Sequence, residues 1–231
     1  MGKESKNNEL PEEVSAIRRE IGEFFDKLDD KKRRIGSSTH GIYAFFDYDE
    51  EPIYVGQTYE NLRGRVGRHL TNQRTDAVAM NVLDPFEVAE IEIWPLDDAV
   101  KSLPADEDKK SFLNKAEYTV FRKVLKNSSL GAVLNEKEII ETEIIDLPES
   151  YRQKIIPDSL YKARKHPDVR LARRANTIAN LARVISERSV SKGLRRTLLT
   201  QARRLELLAS RRLKELGIED PREESETQQD E

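Results

Sequence analysis

The sequence contains no cysteine, so disulfide bonds and thiolate metal sites are excluded. It has only three histidines, which argues against a metal centre built mainly from imidazole ligands. No apolar run approaches the roughly 20 residues that cross a bilayer, and the first residues lack the apolar stretch of a secretory signal. We therefore expect a cytoplasmic protein with no membrane partner, in which any metal is a hard cation held by oxygen ligands.

Charged residues are abundant but unevenly distributed. They make up 36% of the 231 residues, and the formal net charge is −3. Segment 161–218 nevertheless carries 16 lysines and arginines against 4 aspartates and glutamates, while the rest of the chain is acidic. Such a basic segment attracts polyanions, but it is also typical of a solvated helix face, and composition leaves both interpretations open.

The first third of the chain predicts a helix followed by a β-hairpin. Residues 1–9 are expected to form a disordered leader, and apolar residues then recur at helical spacing from Pro11 to about Leu28. Segments 41–47 and 52–57 are rich in aromatic and β-branched residues and predict two strands. A turn centred between Tyr48 and Asp49 would place Tyr43 directly opposite Tyr54.

The middle of the chain predicts alternating helix and strand. Helices are expected over 61–70, 73–81 and 111–126, a half-buried strand over 86–94, and a charged loop over 97–110. The expected fold class is α+β, with a small, mainly antiparallel three-stranded sheet flanked by helices.

After residue 145 the pattern changes to a basic helical hairpin. Two long helices carry apolar stripes that include Leu171, Leu181, Leu194 and Leu205, and the short turn at Ser189–Gly193 predicts that they are antiparallel. The predicted organisation is a helical arm (1–37), an α+β domain (38–145), a basic helical extension (146–218) and a disordered acidic tail (219–231).

Two tyrosines of the predicted hairpin are candidate functional residues. If Tyr43 and Tyr54 face each other, both phenols lie on one face of the sheet. Gly56, two residues further on, allows a backbone or ligand to approach closely. Packing is the ordinary role of paired tyrosines, so this pattern alone does not indicate a site.

The predicted helix over 61–70 adds basic side chains beside its apolar stripe. Arg65 and His69 are four residues apart and therefore project from one face, with Arg63 and Arg68 nearby. Arginine presents a rigid fork of donors that fits phosphate oxygens, and histidine can move protons near neutral pH. A solvated basic helix is the alternative interpretation.

Glu117 lies on the apolar face of its predicted helix. Leu113 and Phe121 are four residues to either side of it, and glutamate is seldom placed on such a face unless it is paired or coordinating. A buried ion pair and a Mg²⁺ ligand are both consistent with this position, because Mg²⁺ often uses one or two carboxylates and keeps several waters.

These residues together resemble the signature of the GIY-YIG nucleases. Gly41-Ile42-Tyr43 and Tyr54-Val55-Gly56 resemble the two halves of that signature, with Gly41 and Gly56 as its structural glycines. The arginine, histidine and metal-binding glutamate that follow in that family are matched by Arg65, His69 and Glu117. Its terminal asparagine is matched by Asn135. The resemblance covers roughly residues 38–137.

The resemblance implies a metal-dependent endonuclease that hydrolyses DNA, with Mg²⁺ or Mn²⁺ as its cofactor. Glu117 would hold the metal, Tyr43 would orient or deprotonate the attacking water with Tyr54 beside it, and Arg65 and His69 would contact the phosphate. Restriction or defence against foreign DNA is the expected role. The alternative is a non-catalytic nucleic-acid-binding protein on the same scaffold, or one that serves repair or a mobile element.

The basic helical extension is expected to hold DNA through phosphate contacts. An alternative or additional use of its apolar stripes is a homodimer. The arginines predicted to bind DNA are Arg63, Arg68, Arg173, Arg174, Arg195, Arg196, Arg203 and Arg204.

Overall fold

The computed structural model describes residues 11–70, 82–135 and 137–219. Within these ranges the strands are β1 (Gly41–Phe46), β2 (Pro52–Thr58), β3 (Glu90–Pro95) and β4 (Tyr151–Lys154). The α-helices are α1 (Glu12–Asp26), α2 (Leu62–Leu70), α3 (Asp97–Lys101), α4 (Asp106–Lys126), α5 (Asp158–Lys165), α6 (Pro167–Glu187) and α7 (Lys192–Glu215). The predicted leader, the predicted helix over 73–81 and the predicted tail from residue 220 lie outside the described residues.

The described strands form one antiparallel sheet in the order β2-β1-β3-β4, which confirms the α+β fold class. The prediction of three strands was wrong, because β4 pairs with β3 along the outer edge. This strand is four residues long, and its sequence Tyr-Arg-Gln-Lys has no apolar alternation. A short polar edge strand carries almost none of the periodic signal that identifies strands in a sequence.

Two further boundaries differ from prediction for local reasons. The predicted strand over 86–94 begins only at Glu90, because Pro85–Glu87 form a 3-10 turn in which Asp84 accepts a hydrogen bond from Phe86 N at 2.9 Å. The predicted loop over 97–110 contains α3 and the start of α4. The acidic residues there fall in the first turns of the two helices, where negative charge is favourable.

The β-hairpin has a register two residues away from the predicted one. Tyr43 pairs with Gly56, and Tyr54 pairs with Phe45. The turn is longer than assumed: Asp47 N donates to Glu51 O, Glu50 adopts a positive φ of 59°, and a bulge interrupts the ladder between Phe45 and Phe46. Because the offset is an even number of residues, Tyr43 and Tyr54 still share one face of the sheet.

Helices cover both faces of the sheet. On one face α4 packs Leu113, Ala116 and Val120 against β1 and β2. On the other face, Phe24 of α1 and Val66 of α2 belong to the larger core cluster, together with residues of α6 and α7. None of the helices in the described ranges is long and apolar enough to cross a membrane.

The basic helical hairpin forms as predicted, but its buried face was predicted wrongly. Of the stripe residues named above, Leu181 and Leu194 are buried, but Leu171 and Leu205 are only half-buried. The side that packs inward instead carries polar and basic residues among a few apolar ones: Arg170, Arg174, Thr177, Leu181 and Val184 of α6, and Leu194, Thr197, Gln201, Arg204 and Leu208 of α7.

The arginines on this inward side converge on one buried carboxylate in the β1–β2 turn. Oδ2 of Asp47 lies 2.6 Å from Arg204 Nη2, 2.8 Å from Arg174 Nη2 and 3.1 Å from Arg170 Nη2. Glu87 adds a second acid, 2.9 Å from Arg174 Nε. Burial alone would raise the pKa of Asp47, but the three guanidinium groups outweigh it and hold that pKa below its usual range.

We predict that Asp47→Ala lowers the free energy of unfolding by about 3–5 kcal/mol, because it leaves buried guanidinium groups without their shared partner. Urea denaturation at pH 7 measures the change. The control Asp168→Ala removes a carboxylate that is 58% exposed beside Arg212, and its expected cost is below about 1 kcal/mol. Equal losses in the two variants would contradict a structural role for the Asp47 cluster.

Candidate active site

Tyr43 lies at the centre of an aromatic and basic cluster on one face of the hairpin. Its side chain is fully buried, and its ring centroid lies 6.1 Å from that of Tyr54. Its hydroxyl lies 3.0 Å from His69 Nε2 and accepts a hydrogen bond from Arg65 Nε at 3.3 Å. Burial is the main cause that raises the pKa of Tyr43 well above its ordinary value of 10. The structure thus brings together the two tyrosines, the arginine and the histidine.

Helix α2 delivers Arg65 and His69 to this cluster. Its start is fixed by Asn61, whose side-chain oxygen accepts from Gly64 N at 2.5 Å, as at a helix N-cap. Leu62 and Val66 are fully buried beneath the helix, so Arg65 and His69 emerge at the margin of the buried face, as their spacing predicts. His69 is itself buried, whereas Arg65 reaches the surface.

Gly56 is required where β2 crosses the Tyr43 phenol. A Cβ atom at this position would lie 2.5 Å from Tyr43 Oη and 2.8 Å from Tyr54 Cε1. Any larger residue would therefore displace one of the two rings. Gly41 is similarly confined, because a Cβ there would lie 2.8 Å from the carbonyl oxygen of Trp94. At both positions the surrounding atoms leave no room for a side chain.

Glu117 approaches the same place from the opposite face of the sheet. It projects from α4 next to the edge strand β2, and its Oε2 accepts a hydrogen bond from Gln57 Nε2 at 3.1 Å. Gln57 Nε2 also lies 3.0 Å from Asn114 Oδ1. Burial raises the pKa of Glu117 to about 7, against smaller lowering effects of Gln57 and Arg65. The carboxylate has no arginine or lysine within ion-pair distance among the described residues, so none of them forms the ion pair that was the alternative interpretation.

The two groups of residues meet in one cleft of about 320 Å³ at the edge of β2. Tyr54 and Gly56 border it on one side of the strand, and Gln57 and Glu117 border it on the other. Arg65 also lines it. Tyr43 is not among the lining residues, because its phenol lies beneath Gly56. An edge strand with accessible side chains on both faces thus supplies two different walls of a single site.

Asn135 covers the free edge of β2 beside this cleft. Its side chain accepts from Val55 N at 3.2 Å and donates to Val55 O at 2.6 Å, while Leu134 N donates to Ile53 O. The amide thus continues the hydrogen-bond ladder in place of a neighbouring strand. Asn135 lines the cleft, but both ends of its amide are occupied by the backbone of Val55.

Gln57 and Asn114 are cleft residues that the sequence interpretation missed. Asn114 precedes Glu117 by three residues on α4, a spacing that places them on one helix face. Gln57 is the polar residue that follows Gly56 in an otherwise apolar strand. Either pattern could have identified them once Glu117 had been chosen.

The oxygen atoms of the cleft suit a hard divalent cation. Glu117 Oε1 forms no hydrogen bond with a described residue, and Gln57 Oε1 is buried and likewise finds no hydrogen-bond partner within the described ranges. No group of three or more histidine, aspartate or glutamate side chains that could share a metal exists among the described residues. One carboxylate with neighbouring amide oxygens and water fits Mg²⁺ or Mn²⁺, which hold few protein ligands.

Two of the arginines predicted to bind DNA are structural. Arg174 and Arg204 are buried in the Asp47 cluster and cannot reach a phosphate. Arg204 Nη1 also donates to Pro52 O at 3.1 Å, which fixes α7 against the start of β2. The prediction was wrong for these two, because neighbouring arginines on a helix point in different directions. Arg173 and Arg203 reach solvent, whereas Arg174 and Arg204 face the core.

The other predicted arginines keep some exposure but differ in their partners. Arg63 is bound to Asp26 at 2.6 Å, Arg68 to Glu60 at 2.6 Å, and Arg173 to Asp84 at 2.8 Å. Arg196 forms an exposed pair with Glu138 at 2.9 Å. The last two are exposed and form no hydrogen bond or ion pair with any residue in the described ranges: Arg195 and Arg203.

The fold and the cleft define a small α+β domain with a nuclease-type site, and comparison with known families agrees. Residues 39–129 match the family model of the GIY-YIG catalytic domain. This segment is therefore a GIY-YIG catalytic domain, as the resemblance implied. Neither the search of curated proteins nor the search of solved structures gave a match.

We predict that Glu117→Gln stabilises the metal-free protein at pH 8 but not at pH 4. A carboxyl whose pKa is raised from 4.5 to about 7 by burial destabilises the fold as the pH rises through that interval. At 1.36 kcal/mol per pKa unit the gain is on the order of 3 kcal/mol. Urea unfolding of the full chain with EDTA measures it, and Glu149→Gln, an exposed site, is the control. Equal stability of Glu117→Gln and the native protein at pH 8 would contradict the burial effect.

Proposed function

We propose that this protein is a metal-dependent endonuclease that hydrolyses phosphodiester bonds in DNA, in restriction or defence against foreign DNA. The observation that carries the proposal is the cleft at the edge of β2, where a guanidinium, a phenol and a half-buried carboxylate from three elements face one space. Phosphodiester hydrolysis needs groups of these three kinds around the scissile phosphate.

Arg65 is the phosphate-binding residue of the proposal. Its Nε donates to Tyr43, which leaves both Nη groups free of hydrogen bonds to the described residues. A guanidinium held in this way can donate to two oxygens of one phosphate and stabilise charge that develops there. Arg63, on the same helix, is instead bound to Asp26 and to Gly22 O on the α1 side. The geometry therefore favours Arg65.

The two tyrosines have different roles in the proposed mechanism. Tyr54 lines the cleft, so its phenol is the one positioned to orient the attacking water. The sequence interpretation gave that task to Tyr43, but its hydroxyl is buried and its pKa is raised, and both properties disfavour a direct base. Tyr43 instead positions Arg65 and His69 through its hydroxyl group.

Glu117 is the metal-binding residue of the proposal, assisted by Gln57 and Asn114. A divalent cation at this carboxylate would neutralise charge on the scissile phosphate and on the leaving oxygen. Gln57 keeps the carboxylate in place through its amide nitrogen. Because burial favours the protonated form of Glu117, a cation and a proton compete for it, and metal affinity should fall below about pH 7.

The exposed face of α7 is the proposed DNA-holding surface. Arg195 and Arg203 are its arginines without an ion pair to the described residues, and Arg196 stands beside them. The apolar stripes do not support the homodimer suggested earlier, because Leu181 and Leu194 pack into the core of their own chain. Deleting the helices would also strip Asp47 of its partners, so point variants are the appropriate test of DNA binding.

We predict that Glu117→Ala abolishes metal-dependent nicking while DNA binding is retained, because the variant loses only the proposed metal ligand. Conversion of supercoiled plasmid to open circles, with Mg²⁺ or Mn²⁺, measures cleavage, and a mobility shift in EDTA measures binding. Glu149→Ala is the control and should cleave like the native protein.

If Glu117→Ala nicks plasmid at the rate of the native protein, Glu117 is not the metal ligand. No cleavage by the native chain with either cation between pH 6 and 9 would favour the alternative, a non-catalytic DNA-binding protein. Mapping the cut ends on a defined plasmid distinguishes a restriction-like enzyme, with fixed sites, from a repair or mobile-element nuclease.

We predict that Arg195→Glu with Arg203→Glu weakens binding of duplex DNA and flattens its salt dependence. Removing one phosphate contact reduces the slope of log K against log salt by about 0.9, so the double variant should reduce it by about 1.8. Fluorescence anisotropy in EDTA between 50 and 300 mM salt measures the slope. Arg19→Glu with Lys126→Glu, two exposed residues on α1 and α4, is the matched control, and an equal change in that variant would exclude a specific surface on α7.

A further inference from the structure

A second and larger cavity adjoins the catalytic cleft. It measures about 630 Å³ and lies between α4, the segment 131–141 and the start of α7. Asn135 and residues 137–140 border both this cavity and the cleft. We call the larger cavity the α4–α7 groove. A nucleic-acid strand bound beside Glu117 can therefore continue from the cleft into the groove without crossing protein.

The groove combines an apolar interior with a basic rim. Phe121 and Ile140 are prominent among its apolar residues, and Ile140 is 63% exposed although it is large and apolar. Phe121 packs against Tyr118, with ring centroids 6.3 Å apart, so the wall is partly aromatic. Arg122 and Lys137 stand at the rim, exposed and without an ion-pair partner among the described residues.

The acidic residues of the groove are already engaged. Glu138 is bound to Arg196 at 2.9 Å, and Glu141 accepts from Tyr118 Oη at 3.1 Å. The Arg196–Glu138 pair is exposed at both ends, so it is weak and a phosphate can displace the carboxylate. The groove can therefore present three cations to an anionic ligand.

A buried hydroxyl supplies an independent indication of a ligand. Thr197 of α7 borders the groove and is 2% exposed, and its Oγ1 has no hydrogen-bond partner in the part of the chain that the structure describes. An unsatisfied buried hydroxyl is unfavourable, so natural proteins rarely keep one without a reason. Because Oγ1 itself is closed to solvent, a polar ligand atom in the groove would satisfy it once this wall opens.

The geometry points to a binding site for unpaired nucleotides: the α4–α7 groove takes the single-stranded segment that leaves the catalytic cleft. Phosphates bind Arg122, Lys137 and Arg196, and bases lie against Phe121 and Ile140, the combination that single-stranded nucleic acid requires. The volume falls within the roughly 300–1,000 Å³ of pockets that enclose small molecules, which suits a few nucleotides and not a double helix. This inference rests on the proposed nuclease function.

The proposal is tested by binding three fluorescent DNAs to the full chain in EDTA, so that no cleavage occurs. The probes are a blunt duplex, the same duplex with a short unpaired tail, and the tail sequence alone. The native protein should bind the tailed duplex about tenfold more tightly than the blunt one, because stacking contributes about 1–3 kcal/mol per base. Equal affinity for the blunt and tailed duplexes would overturn the proposal.

Charge reversal at the rim locates the contact. Arg122→Glu with Lys137→Glu should remove most of the preference for the tailed duplex and lower its salt slope by about 1.4, since each single-strand phosphate contact contributes about 0.7. Arg19→Glu with Lys101→Glu makes the same charge change at exposed residues of α1 and α3, outside the groove, and should keep the preference. The proposal would be overturned if the charge reversal at Arg122 and Lys137 left the preference for the tailed duplex unchanged. It would also be overturned if the control variant lost that preference to the same extent.

Thr197→Val separates a ligand contact from a structural role. The valine has the same shape and removes an unsatisfied hydroxyl, so the melting temperature of the free protein should rise by about 2–4 °C. Affinity for the tailed duplex should nevertheless fall several-fold, while that for the blunt duplex stays constant. Weaker binding of both duplexes, or no change in either, would exclude the hydroxyl as a strand contact.

Failure of the groove and failure of the nuclease proposal give different results. If the chain cuts plasmid and Glu117→Ala stops it, but tails are not preferred, only the groove inference is wrong. If the chain never cuts but prefers tailed DNA through Arg122 and Lys137, the groove stands as a binding site and the catalytic proposal fails.

Discussion

The carboxylate of Asp47 is the interaction on which the rest of this structure depends. It lies at the tip of the β-hairpin, and its Oδ2 holds arginines from both long C-terminal helices. Its Oδ1 accepts from the backbone of Asp49 and Glu51 and so shapes the turn itself. One buried acid thereby fixes the hairpin and docks α6 and α7 on it. The loss of hydration offsets much of the attraction between these buried charges, so the cluster adds little net stability. It does favour a single docking geometry of α6 and α7, because each buried charge requires its partners.

The candidate cleft depends on a different property, the position of β2 at the edge of the sheet. Both faces of this strand reach the cleft, so Tyr54 and Gln57 can border the same space although they point in opposite directions. A central strand would separate them with its neighbours. Asn135 occupies the backbone of the free edge and leaves the side chains of β2 available.

Much of the fold and of the site could be predicted from the sequence, for reasons that particular residues illustrate. Helical spacing placed Arg65 and His69 together, and the apolar neighbours of Glu117 placed its carboxylate on a buried face. Local patterns could not identify Arg174 and Arg204 as core residues, because their acidic partners lie more than 80 positions away in sequence. Strand β4 was not predicted for the same reason, because only its pairing with β3 makes it a strand.

The bulge between Phe45 and Phe46 has a consequence for how this chain can vary in length. Side chains alternate between the two faces of a strand. One residue added to or deleted from β2 between the turn and Gly56 would therefore move each β2 side chain to the opposite face of the sheet. Gln57 would then point at the aromatic cluster, and Tyr54 would point at α4. A bulge absorbs a single extra residue without that exchange. Only changes in pairs, or changes compensated at the bulge, would preserve both walls of the cleft.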